Sequence, residues 1–146
     1  MSKINVPRLL LGGLVAGVVL NALDYGINNF LLNEAWLRLA QARNVNLDIM
    51  GSNSALVTFI VSDLALGMLI VWVYAGIRPR FGANNYTAAA AALTIFGAEW
   101  LIVATFAGWL LSWEMFIQTA GLSLVSTLIA GLIGCAQYRE QGDVGR

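Results

Sequence analysis

The chain contains no histidine and a single cysteine, Cys135, and these two shortages close off whole chemistries. Without an imidazole there is no His-held haem or metal ion, and no Ser-His-Asp or Cys-His nucleophile. With one cysteine there is no intrachain disulfide and no paired-thiol exchange. Cys135, near the end of the last apolar stretch, reads as a small packing residue. Charge is scarce too: Asp, Glu, Lys and Arg make up 11% of the residues, where a soluble domain carries about a quarter. The 8 basic and 8 acidic side chains cancel, so no basic patch is available for nucleic acid. No catalytic residue, metal site or cofactor is expected.

What is present is apolar. Hydrophobic residues account for 59% of the chain and mean hydropathy is +0.75. They fall into four runs, Leu9–Leu32, Ala55–Ile77, Ala88–Leu111 and Met115–Gln137. At 1.5 Å per residue each run crosses a hydrocarbon core of roughly 30 Å. The expected fold is all-α: a polytopic membrane protein, one domain over residues 1–146, whose four transmembrane helices form an antiparallel bundle. A longer outer loop, Asn33–Ser54, joins the first two helices. The start resembles a signal peptide, with Lys3 and Arg8 before an apolar run. No small-x-small cleavage site follows, so it is read as a retained span. Between the second and third spans, Pro79 and Gly82 are expected to stop the helix, with Arg78 and Arg80 at headgroup level.

Orientation follows from basic residues near the ends of the spans. Lys3, Arg8, Arg78, Arg80, Arg139 and Arg146 fall on one side, Arg38 and Arg43 on the other. That bias puts both termini in the cytoplasm and Trp36, Trp109 and Trp113 near the outer surface. In the long loop, Leu32, Trp36, Leu39 and Ala40 recur at helical spacing. This suits a short amphipathic helix or an extension of the first span, followed by a polar stretch from Arg43 to Ser54.

Against this apolar background three acids stand out: Asp24, Asp63 and Glu99, each within a span that holds no Lys or Arg. An ionised side chain at the bilayer centre costs about 2.5–3.5 kcal/mol on insertion scales, so three cost roughly 8–10. They must find partners, water or protons. Helical rise places Asp24, Asp63 and Glu99 about 22, 18 and 17 Å from the inner edge, one layer in the middle-to-outer half. Gly13, Gly17, Asn21, Asp24 and Asn28 form one stripe along the first helix. Its glycine half is a GxxxG packing element and its other half an amide-carboxyl-amide ladder. Gly67 lies one turn from Asp63, and Gly131 shares a face with Ser123, Thr127 and Gly134. Inward-facing, these stripes make a tight cytoplasmic half and a polar outer half.

Gly12, Gly13 and Gly17, followed by Asn21 and Asp24, together with Trp36 and the run from Tyr74 to Gly82, carry a resemblance. Over the first two spans and the next loop the chain resembles small bacterial four-helix integral membrane proteins of unknown function. The resemblance implies a fold and an inner-membrane address, and no activity.

Two functions fit these residues. In the first the protein is not an enzyme but an accessory or assembly subunit. Its acids are neutral and hydrogen-bond across helices to groups such as Asn21, Asn28, Thr58, Ser62 or Ser123. In the second it is a small proton- or cation-coupled transporter or channel, with the same carboxyls as the exchanging groups. The partners expected are the lipid bilayer and either a second copy or a larger membrane complex.

Overall fold

Polar residues at the chain's bends start its helices. The computed structural model describes residues 4–44 and 52–140, without the side chains of 106–108 and 110. The Asn5 side chain accepts from the Arg8 amide at 3.3 Å and begins α1, Val6–Gly26, with Pro7 in the first turn where no N–H is needed. Ser52 caps α3, Asn53–Phe81, through the Ala55 amide at 3.3 Å. The Asn84 side chain accepts from the Thr87 amide at 2.9 Å at the start of α4, Asn85–Leu110. Ser112 accepts from the Met115 amide at 3.2 Å and opens α5, Trp113–Ala136. These four helices are long and apolar enough to cross a membrane.

The first span does not end where α1 does. It continues through a π-helical segment, Ile27–Leu31, in which the Leu32 amide reaches the Ile27 carbonyl at 2.9 Å. The amphipathic helix expected after it is α2, Asn33–Arg43, closed by Asn44 in the left-handed conformation. The polar stretch expected to follow lies largely outside the described residues.

Two expected boundaries move. Pro79 does not stop α3, which runs on to Phe81. A proline this close to the C-terminus removes only one helical hydrogen bond, that to the Ala75 carbonyl. Gly82 ends the helix instead, at φ 87° and ψ 164°, with its amide on the Arg78 carbonyl at 2.8 Å. The α4–α5 link is also tighter than expected, because Ser112 caps α5 from Trp113 onward.

The helices alternate in direction, with α1 against α3 and α5, and α4 closing the bundle against α3 and α5. The fully buried core lies at one end. Ala16 and Leu20 of α1, Ile70 and Val71 of α3, Ala91 and Ala92 of α4, and Ala130 and Cys135 of α5 pack together. This is the end that carries Arg8, Arg78, Arg80 and Arg139. Toward the other end α4 turns outward-facing, with Leu101, Ile102 and Trp109 exposed. The acids fall in this looser half.

Candidate functional site

Small residues bring the helices together below the acids. A Cβ on Gly67 would stand 2.7 Å from both the Gly13 carbonyl oxygen and Gly17 Cα. One on Gly17 would stand 2.6 Å from Leu64 Cα. So Gly13, Gly17 and Gly67 mark where α1 and α3 touch backbone to backbone. Gly131 lies against Ala92 of α4 and Ile70 of α3. A contact the stripe pattern missed joins Gly12 to Gly134: a Cβ on either would lie 2.7 Å from the other's carbonyl oxygen. The Gly12-Gly13 doublet was its signal, since adjacent glycines on a helix can serve two different neighbours.

Above this contact the polar groups divide. Asp24 is half-buried, and its Oδ1 accepts from Ser126 Oγ of α5 at 2.7 Å. Ser126 is 1% exposed, so this contact is dry on the serine side. The same hydroxyl sits 3.1 Å from the Ser123 carbonyl. The two acceptors thus compete for or share the one hydroxyl hydrogen. Ser126 was not anticipated. Following Ser123 and Thr127 at a spacing of four steps over it, although Ser126 lies one turn before the buried Ala130.

Asn21 ties α1 to α3. Its Nδ2 donates to the Gly17 carbonyl at 3.0 Å and to the Ile60 carbonyl at 3.2 Å. Asn28 takes no part in a carboxyl ladder, which corrects the expectation from spacing. Its Nδ2 donates to the backbone carbonyl of Asp24 at 2.8 Å, and its Oδ1 accepts from Trp36 Nε1 at 3.0 Å. Asn29 likewise donates to the Tyr25 carbonyl at 2.8 Å. Around the π segment these side-chain amides serve carbonyls of the preceding turn, as polar groups do where helical hydrogen bonding is disturbed.

Asp63 and Glu99 are half-buried and, among the described residues, form no side-chain hydrogen bond or ion pair. Both nevertheless belong to the same layer. Asp63 lies within electrostatic reach of Asp24 and Glu99, and Glu99 within reach of Asp24. Among the described residues no group of three or more acids, cysteines or histidines is placed to share a metal ion. The other suggested partners point elsewhere. Thr58 bonds its own helix at the Ser54 carbonyl, 2.9 Å away, and Ser62 is exposed. Ser123 accepts from Trp100 Nε1 at 3.3 Å, with the indole between Phe96 and Phe116. That indole pins α4 to α5 beside Glu99.

Two cavities bracket this layer without including the acids. One, of about 440 Å³, lies at the arginine-bearing end. The other, of about 290 Å³, separates α2 from the start of α5 and is lined by Arg38 and Glu114 among others.

Four membrane-length helices, glycine-packed at one end and acid-bearing toward the other, define an all-helical multi-pass membrane protein. Set against family models, curated proteins and solved structures, the chain matches none.

Proposed function

We propose that this is a non-catalytic integral protein of a bacterial inner membrane, an accessory or assembly subunit with both termini in the cytoplasm. Its polar layer holds helices together rather than moving an ion. The observation that carries this reading is the direct Ser126–Asp24 contact at 2.7 Å, made by a fully buried hydroxyl. A carboxyl met by a neighbouring helix is a lock, and hydrogen bonds of this kind fix register more than they add stability. The half-exposed faces of Asp63 and Glu99, without a partner among the described residues, fit a second copy or a larger membrane complex, where another chain supplies their partners.

An alternative is favoured by those same two residues. Carboxyls without a partner among the described residues, within electrostatic reach of a third, suit a small proton- or cation-coupled transporter.

Proteoliposomes separate the two. With the accessory reading, a pH gradient drives no more cation uptake into vesicles holding the protein than into empty ones. Native electrophoresis of solubilised membranes then finds the chain in an assembly larger than one copy. Uptake above the empty-vesicle level, abolished by Asp63→Asn or Glu99→Gln with assembly unchanged, overturns it.

A further inference from the structure

Where α2 passes the start of α5, the two helices leave between them a cavity of about 290 Å³. Arg38, Leu39 and Ala42 line it from α2, and Glu114, Met115 and Gln118 from α5. The spacing of four between Arg38 and Ala42, and again between Glu114 and Gln118, makes each wall a single helix face. Leu39 and the buried Met115 make one side apolar. The walls differ in charge: α2 brings a guanidinium and α5 a carboxylate.

Neither charge is committed to the other. Arg38 and Glu114 border one cavity, yet form no ion pair with each other. Arg38 instead folds back along its own helix. Its Nη2 lies 3.4 Å from Glu34 Oε2, and its Nε donates to the Glu34 carbonyl at 3.4 Å. The two side chains are 76% and 86% exposed, so solvent screens their attraction and the pair yields readily to a better-placed anion. Glu114 Oε1 accepts from Gln118 Nε2 at 3.5 Å, a long and weak hydrogen bond. A ligand of one charge leaves the opposite wall uncompensated. A ligand carrying both charges a few ångströms apart answers both walls at once.

The cavity lies at headgroup depth. α2 follows the first span directly, and Glu114 is in the first turn of α5. Trp113 beside it is exposed and stacks on Phe116 at 5.3 Å, while Trp36 of α2 bonds Asn28. Tryptophans gather in this way where hydrocarbon meets headgroups. The anion found at that depth is phosphate, which the planar fork of arginine matches. An ammonium with N–H donors suits the Glu114 carboxylate. Small-ligand sites start at about 300 Å³, so this cavity has room for a headgroup rather than a whole lipid.

We propose that this cavity binds a zwitterion of phosphate and primary ammonium, with Arg38 on the phosphate and Glu114 on the ammonium. The shared chemistry is phosphoethanolamine, carried by a phospholipid or free in solution. The site is independent of whether the carboxyl layer holds helices together or exchanges ions.

The test uses the full chain in detergent, read by native mass spectrometry and thermal stability. Short-chain phosphatidylethanolamine, short-chain phosphatidylglycerol, free phosphoethanolamine and inorganic phosphate are titrated separately. Phosphatidylethanolamine retained in preference to phosphatidylglycerol identifies a lipid headgroup. Stabilisation by phosphoethanolamine beyond that by inorganic phosphate, with the two lipids retained equally, identifies a soluble source. In either case Arg38→Gln and Glu114→Gln are each expected to weaken binding about fivefold. Glu114→Gln should also abolish the preference for the zwitterion over the ligand lacking an ammonium, which a loss of packing alone would not do. Arg139→Gln, at the opposite end of the bundle, leaves binding unchanged. Arg38 and Glu114 are exposed, so both substitutions spare the fold. A preference for phosphatidylglycerol, or no discrimination within either pair of ligands, overturns the proposal. So does binding indifferent to either substitution.

Discussion

At Gly67 an added methyl group would meet the backbone of α1, at the Gly13 carbonyl oxygen and Gly17 Cα, both 2.7 Å away. Backbone atoms cannot step aside as a side chain can, so α1 and α3 must separate. Gly67→Ala is therefore expected to destabilise the protein by about 1–3 kcal/mol, the usual penalty of overpacking. At Gly97, where nothing lies within 4 Å, the same change removes only glycine's excess freedom. Gly97→Ala should be neutral or stabilising by about 0.5–1 kcal/mol. Unfolding curves in detergent for the two variants check the contrast, and equal shifts would contradict it. At Asp24, Ser126→Ala and Asp24→Leu should couple by about 0.6 kcal/mol, and by no more than about 1.7, in a double-mutant cycle. Asp24→Asn, which keeps an acceptor for the Ser126 hydroxyl, should lose less than Asp24→Leu. Strictly additive effects would mean that the 2.7 Å contact contributes nothing.

The end of α3 and the junction of α1 with α2 show how elements are delimited. Gly82 adopts φ 87° and ψ 164°, a region open almost solely to glycine. Gly82→Ala should cost about 1–3 kcal/mol and shift the α3–α4 turn, whereas Pro79→Ala, restoring one N–H, should not lengthen the helix. Melting temperatures of the two variants test this ordering. At the other junction, Trp36 ties α2 to the π segment through Asn28 at 3.0 Å. Trp36→Phe keeps the ring and deletes the donor. Faster amide exchange in α2 with α1 unchanged is the expected result. The existence of α2 was legible from the spacing of Leu32, Trp36, Leu39 and Ala40. The π segment was not, because widening of one turn leaves no mark on hydrophobic periodicity.

For the whole molecule, an even number of spans puts the two ends on one side of the membrane. On the orientation proposed from the bias of basic residues, that side is the cytoplasm. A cysteine at Glu34, which is exposed, should react with an impermeant thiol reagent added outside intact cells. One at Arg80 should react only after permeabilisation. Cys135 is 2% exposed and gives little background. Labelling of the Arg80 position from outside would reverse the orientation.

Composition and four apolar runs were enough to determine a helical membrane bundle, because hydrocarbon leaves the backbone few ways to satisfy its hydrogen bonds. Helical rise was enough to expect three acids at one depth, since that expectation needs only a count of residues. The glycine stripe announced close helix contact for the same reason. Which groups meet was another matter. Ser126 rather than Ser123 reaches Asp24, and Asn28 turns to backbone and indole instead of carboxyl. Those pairings depend on the rotation of each helix about its axis and on one widened turn. Only the packing of all four helices fixes these, and it leaves Asp63 and Glu99 in the layer without a partner from the described residues.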